Sequence, residues 1–269
     1  MDRISQGQRL FLESLERKKR KIRMVQILIL AAFFALWEIS AQKGLIDPFI
    51  FSSPSRMFAA LLQMVSDGSI FRHMGITLFE TIVGFVSGTA IGTFAAVILW
   101  WNETLRKILD PYLVVLNSLP KTALAPIIIV WIGNNMSSII VTALLTSVIV
   151  TLLSVLAGFL SVEEDKILLV KTFGATKGQI LKYVVFPASV PAIVNALKIN
   201  VGLSFVGVMV GEFLVSSAGL GYLIVYGSQV FKLDWVMLST LILGILAALM
   251  YKAVSAFEKR FSARWREKE

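Results

Sequence analysis

Apolar runs long enough to cross a lipid bilayer recur along this chain, with charged residues gathered at their ends. A crossing takes about 20 apolar residues at 1.5 Å of rise each. Hydrocarbon offers backbone N–H and C=O groups no water, so such runs must satisfy their own hydrogen bonds as helices. The 57% share of hydrophobic residues in 269 is far above that of a soluble domain. The expected fold class is all-α: a polytopic membrane protein with about six transmembrane helices.

The expected spans are residues 24–41, 77–101, 113–132, 137–160, 188–215 and 235–257. The second ends in the interfacial pair Trp100 and Trp101, and the third is interrupted by Pro120 and Pro126. This divides the chain into a basic segment 1–23, a membrane domain 24–257 and a basic tail 258–269. The sequence RKKRKIR ahead of the first run superficially resembles a signal peptide. That run is too long for a signal core, and no small-residue cleavage site precedes a soluble domain, so it is expected to stay as the first helix.

Lysine and arginine set the expected orientation. With both termini in the cytoplasm, the inside segments, counted at the C-terminus from Lys252 onward, carry 20 of the 26 basic residues and the outside connections carry Lys43, Arg56, Arg72 and Lys232. The charge of +9 therefore reads as a positive-inside bias, and no basic face or aromatic-interleaved motif suggests nucleic acid. With no cysteine and His73 as the one histidine, neither a metal centre nor a redox cofactor is expected. His73 reads as an interfacial surface residue. Of the two longer outside connections, 44–74 holds the amphipathic helix SRMFAALLQMVSDG. The other, SSAGLGYLIVYGSQVFKLD, is apolar but broken by glycine, as a short helix lying on the outer side would be.

The longest internal connection, 161–187, is the unusual one. SVEEDKILLVKTF has acids in a first turn followed by apolar residues, as a short helix would. After it, Ile180, Leu181, Val184 and Val185 recur at helical spacing opposite Lys177, Gln179 and Lys182. Gly174 punctuates the pair with the permissive backbone a tight turn needs. Pro187 and Pro191 lead into the next span. Two readings stand on periodicity alone: a docking element for a partner's groove, or a helix lying in the lipid interface.

Charges inside spans are costly and so are functional candidates. Glu80 and Glu212 fall toward the outer side, and Glu38 and Lys198 are expected to snorkel to an interface. Lys121 sits beside Pro120 and Asn117 in the interrupted span, where lining a pathway and holding the break are both open. Glu212 either pairs with a cation or caps the SSAGLG turn. Gly84, Gly88 and Gly92 share one helix face and permit close helix packing, within the chain before a dimer seam, and Gly207 and Gly211 repeat the pattern.

The segment GATKGQILKYVVFP resembles the coupling loop of ABC importer permeases, with Gly174, then Val184, then the Phe186–Pro187 pair. PSRMFAALLQMVSDGSIFRHMGITLFETIVGFVSG, DPYLVVLNSLPKTALAPIIIVWIG and GEFLVSSAGLGYLI extend the resemblance over nearly the whole chain. They are similar to the nitrate, sulfonate, taurine and bicarbonate branch, which also includes permeases for thiamine-pyrimidine precursors and riboflavin. One departure stands out: the family signature opens with Glu-Ala-Ala where this chain has Leu168, Leu169 and Val170, while Glu163, Glu164 and Asp165 lie about a turn earlier.

The resemblance implies a type I importer permease in the bacterial cytoplasmic membrane. It implies two ATPase subunits, a second permease chain, most simply a homodimer, and an extracytoplasmic binding protein that delivers substrate. No Gly-Lys pair exists to build a phosphate loop, so ATP hydrolysis is assigned to a separate chain. Coupling is assigned to Gly174, Ala175, Lys177, Ile180, Leu181, Val184 and Pro187, and the pathway to Asn117, Pro120, Lys121 and Glu212. The expected substrate is a small anion of the sulfonate, taurine or nitrate type, with a thiamine-pyrimidine precursor or riboflavin-like solute as the alternative. An ATPase-independent carrier is a distant third, since no internal repeat is evident. A membrane-embedded enzyme would need an intramembrane catalytic cluster, and only scattered single charges occur.

Overall fold

The computed structural model describes residues 6–266, with side chains described for 14–258. Among the described residues every regular element is helical. Among the described residues five helices are long and apolar enough to cross a membrane, or six if the bent pair formed by residues 103–118 and 121–132 counts as one span.

Helix α1 (Gln6–Gln42) carries the first apolar run. Ile27, Leu28, Ile29, Leu30, Phe33 and Leu36 are exposed in the isolated chain, a surface suited to lipid. At its far end Glu38 does not simply snorkel. The Ser55 N–H and hydroxyl donate to its two carboxylate oxygens at 3.0 and 2.8 Å, so Glu38 pins the start of helix α3. A single turn, α2 (Pro48–Phe51), lies between α1 and α3 (Pro54–Ser66), the amphipathic helix expected from the sequence.

Helix α4 (Ser69–Trp101) begins eight residues before the expected Thr77. The left-handed Gly68 and the Asp67 carboxylate, which accepts from the Ser69 N–H at 2.8 Å, set that start ahead of Arg72 and His73. The interrupted span is more sharply broken than expected. Helix α5 (Glu103–Ser118) and helix α6 (Ala125–Ile132) are joined through a 3₁₀ turn, Lys121–Leu124, and bend by 86°. The break falls at Pro120, which lacks an N–H, whereas Pro126 sits in the first turn of α6, where no intrahelical bond is lost.

Helices α7 (Met136–Leu160), α11 (Val190–Val215) and α13 (Leu233–Arg266) complete the spans. Between α7 and α11 come α8 (Glu164–Thr172), α9 (Lys177–Ile180), a π turn at Leu181–Val185 and α10 (Phe186–Ala188). Helix α12 (Leu220–Gln229) is the short glycine-broken helix expected between α11 and α13. Lys198 is not a lone snorkelling cation: its ammonium lies 2.6 Å from Glu258 of α13, tying α11 to the end of that helix.

The middle of the molecule is α7, flanked by α4 and α11. Its hydroxyls close local bonds in the absence of water, with Thr142 donating to the Ser138 carbonyl and Thr151 to that of Ser147, each at 2.8 Å. Asn200 of α11 donates across to Thr89 of α4 and Thr151 of α7, joining the three helices. Gly84, Gly88 and Gly92 face Ala143, Ser147 and Thr151, where any Cβ on α4 would overlap the α7 side chains.

Gly207 is tighter still, since a Cβ there would lie 2.5 Å from Ala143 Cα and 3.0 Å from its N. Gly207→Leu is expected to cost at least about 1–3 kcal/mol, because backbone rather than a side-chain tip must move. That amounts to a drop of about 2–12 °C in thermal midpoint in detergent. Gly202→Ala on the same helix meets open space and is expected to hold or raise the midpoint.

Two apolar cores stack along the bundle. One joins Met64 of α3, Ile70 of α4, Phe205 of α11, Leu223 of α12 and Leu238 of α13. The other joins Leu99 of α4, Leu113 of α5, Phe159 of α7, Ile180 of α9 and Val185 of the π turn.

Candidate functional site

The sequence FGATKGQ folds as two reciprocal caps back to back. Helix α8 ends in a Schellman motif: Gly174, at φ +79°, donates its N–H to the Lys171 carbonyl at 2.9 Å, and the Ala175 N–H reaches the Val170 carbonyl at 3.1 Å. Thr176 then opens α9 with a capping box. Its hydroxyl accepts from the Gln179 N–H at 3.4 Å, while the Gln179 side chain accepts from the Thr176 N–H at 2.8 Å. The Thr-x-x-Gln signal was present in the sequence and is the local reason the turn is fixed.

Beyond α9 the chain widens into the π turn, and the Phe186 N–H bonds to the Leu181 carbonyl five residues back. Pro187 follows at once, with no N–H to continue an α ladder. Ser189 donates its hydroxyl to the Gly158 carbonyl at 2.9 Å, fastening this run to the end of α7.

The faces of this helix pair differ from a simple outward stripe. Ile180 and Val185 are buried in the second core, and Leu181 and Val184 are half-buried beside them. The exposed residues are Leu168, Leu169, Phe173 and Tyr183, with Phe173 83% and Tyr183 66% exposed. Phe173, Gly174, Gln179 and Tyr183 border a surface cavity of about 350 Å³. Periodicity found the buried face and missed the exposed one, which lies partly on α8 and partly past the turn. Lys177 is turned back onto the bundle: its ammonium donates to the Trp101 carbonyl at 2.5 Å, beside the Trp100 and Trp101 rings. A cation is favoured at a helix C-terminus, and this one anchors α9 to α4.

Asn117, Pro120 and Lys121 come together at the α5–α6 bend. The Lys121 ammonium donates to the Asn117 carbonyl at 2.8 Å, Asn117 and Pro120 are exposed, and Lys121 is half-exposed.

Glu212 belongs to a different network. Its carboxylate accepts from the Thr77 hydroxyl at 2.6 Å and from the Gly221 N–H at 2.5 Å. Thr77 in turn accepts from the Leu220 N–H at 2.8 Å, and His73 Nδ1 accepts from the Gly219 N–H at 2.9 Å. Three of the N–H groups that open α12, those of Gly219, Leu220 and Gly221, are thus satisfied by side chains of α4 and α11, and the carboxylate faces the positive end of the helix dipole. Gly219, at φ +121°, has the Glu212 carboxylate where a Cβ would sit. Glu212 caps the turn, and His73 is a half-buried acceptor in that cap rather than a surface residue.

Residues 88–267 match the family described as the binding-protein-dependent transport system inner membrane component. The chain belongs to this family. It is an ABC importer permease. A probable ABC transporter permease protein of Haemophilus influenzae is 28% identical over 242 residues, covering 90% of this chain and 98% of that one. The formylaminopyrimidine transport permease protein ThiX of Halalkalibacterium halodurans is 30% identical, covering 87% and 92%. The taurine transport system permease protein TauC of Escherichia coli is 24% identical, covering 87% and 86%. Among solved structures, an inward-facing MetNI methionine ABC transporter chain matches with a TM-score of 0.63 at 23% identity, covering 71% of this chain and 95% of that one. A chain of a bacterial ABC transporter involved in the import of alginate matches with a TM-score of 0.63 at 15% identity, covering 93% and 98%. These structural likenesses carry the fold.

The permease also contains a polar cavity of about 460 Å³ bordered by α4, the loop before α7, and the end of α11. Arg72, Glu80, Asn134, Asn135, Ser216 and Ser217 contribute to its walls. Sequence reasoning named Glu80 as a costly intramembrane charge, but gave no signal that these distant segments meet.

Proposed function

We propose that this permease works with a second permease chain, most simply a copy of itself, two ATPase subunits and an extracytoplasmic binding protein. Both termini and the α8–α10 segment face the cytoplasm, a placement supported by 20 basic residues on that side against four on the other. The observation that carries the coupling role is the rigid turn at Gly174. It holds Phe173 and Tyr183 outward while Ile180 and Val185 are locked into the core of α4, α5 and α7. A partner that grips the exposed aromatics moves the spans, because Ile180 and Val185 cannot shift without them. ATP-driven closure of the ATPases tilts α5 to α11 and opens the pathway outward, and hydrolysis returns it inward. Gly174, Ala175, Lys177, Ile180, Leu181, Val184 and Pro187 form this handle, with Lys177 acting through its hold on the end of α4.

The bend carrying Asn117, Pro120 and Lys121 borders the pathway in this mechanism, since broken helices at membrane depth usually border a cavity. The substrate is a small organic solute. Relatives carry names that include taurine, aliphatic sulfonates, formylaminopyrimidine and riboflavin. Lys121 supplies attraction for an anionic group, in keeping with the first two.

Gly174→Val tests the handle. A side chain there meets nothing within 4 Å, so the chain is expected to insert and fold with only about 1–2 kcal/mol of backbone strain. Uptake in cells carrying the whole importer is expected to fall at least about tenfold as the turn shifts against the ATPase, a barrier change of about 1.4 kcal/mol. Normal uptake by Gly174→Val would remove the turn from the mechanism.

A further inference from the structure

The turn at Gly174 has two sides. Phe173, Gln179 and Tyr183 border the cavity on the outward side, whose walls come from residues 170–184 alone. The opposite side closes on the bundle around a second cavity of about 370 Å³, a volume within the usual range for small-molecule sites. Its walls come from the end of α4, the start of α5, the end of α7 and the α8–α9 turn. Trp100 and Leu160, at the ends of α4 and α7, set this cavity at headgroup depth on the side placed in the cytoplasm.

Charge on these walls is one-sided. Arg106, Lys171 and Lys177 contribute three cations, and Glu103 is the one acid among the described residues that border the cavity. Glu103 is drawn away from it: its carboxylate lies 2.9 Å from the Lys107 ammonium and 3.8 Å from the Arg106 guanidinium. The Arg106 side chain is 23% exposed, so a partly buried cation is left with one long contact. Lys171 is exposed and pairs with no acid among the described residues. Lys177 is committed to the Trp101 carbonyl, but an ammonium has three donors and only one is used there. Like charges around one partly enclosed space repel one another until an anion joins them. Trp100, Leu160 and Ile167 add apolar surface, which suits an anion that carries an organic part.

We propose that this cavity is a site for a phosphate group, carried by an acidic phospholipid or by a free phosphate compound, held between Arg106 of α5 and Lys171 of α8. Arg106 presents the planar fork that matches phosphate oxygens, and Lys171 closes the rim as a point charge. The bound anion fastens the α8–α9 turn to the bundle from the side away from Phe173 and Tyr183. Binding is independent of the coupling role and is read without ATPase or transport, so the two stand or fall separately.

The test uses the full permease chain in neutral detergent at fixed ionic strength. Its probes are dihexanoylphosphatidylglycerol, the zwitterionic dihexanoylphosphatidylcholine and inorganic phosphate. Saturable binding with a raised thermal midpoint is expected for phosphatidylglycerol, inorganic phosphate or both, at least about tenfold tighter than for phosphatidylcholine, whose choline meets the same cations. Phosphatidylglycerol binding that inorganic phosphate does not displace identifies the lipid as the source, and saturable binding of inorganic phosphate identifies the free anion. Arg106→Gln is expected to weaken binding at least about tenfold, and Lys171→Glu, an exposed change that the fold tolerates, at least about fivefold. Lys171→Glu carries the test by itself where the Arg106 variant fails to insert. Unchanged affinity in either folded variant, or no saturable binding of either anion above that of phosphatidylcholine, overturns the site.

Discussion

Glu212→Leu is expected to lower the stability of the permease by about 3 kcal/mol or more, and Glu212→Gln by less than half of that. Leucine fits an apolar span by hydrophobicity, so composition alone would call it harmless. It removes the acceptor for the Thr77 hydroxyl and for the Gly221 N–H, both at the buried start of α12. Each donor left unpaired costs about 1–3 kcal/mol. Thermal unfolding in detergent is expected to show a midpoint lower by roughly 6–12 °C, at about 2–4 °C for each kcal/mol in a chain of this size. Glutamine keeps a carbonyl oxygen in the same place and retains part of the cap. A leucine variant as stable as the parent would mean that Glu212 does not hold α12.

The second large effect concerns the partner-facing surface. The double variant Phe173→Asp, Tyr183→Asp is expected to reduce capture of the ATPase subunit by at least about tenfold while leaving the fold intact. Both side chains are mainly exposed, so their replacement changes stability within about 0.5 kcal/mol each. At an interface, aromatic anchors of this kind commonly contribute about 2 kcal/mol apiece, and 1.4 kcal/mol is a factor of ten in affinity. Ile180→Asp is the contrast. It buries an unpaired charge among Leu99, Leu113 and Phe159, and is expected to remove folded protein from the membrane rather than to weaken docking alone. Affinity pull-down with ATPase activity as the readout, alongside size-exclusion profiles, separates the two outcomes.

Most of the fold was legible in the sequence because lipid imposes a simple rule. Apolar length marked the spans, and small residues such as Gly84, Gly88 and Gly92 marked a face for close packing, which turns toward Ala143, Ser147 and Thr151. Local signals also carried well: Gly174 and the helices on either side of it follow from capping chemistry confined to a few residues. What sequence reading missed is non-local. Glu38 and Lys198 were expected to reach the interface, yet each finds a partner on another helix, at Ser55 and at Glu258. His73, Thr77 and Glu212 converge on one helix start from two other helices, and no spacing rule brings residues 135 or more positions apart together. The same applies to the exposed aromatics of the coupling segment. Helical periodicity identifies an apolar face, but not whether that face turns toward its own bundle or toward a partner.

Solute uptake into proteoliposomes holding this permease, its ATPase and its binding protein tests the central claim most directly. Accumulation is expected only when all three and internal or external ATP on the ATPase side are present. It is expected to stop when the ATPase is replaced by a hydrolysis-deficient form. Equal uptake into proteoliposomes that hold the permease chain alone would contradict it.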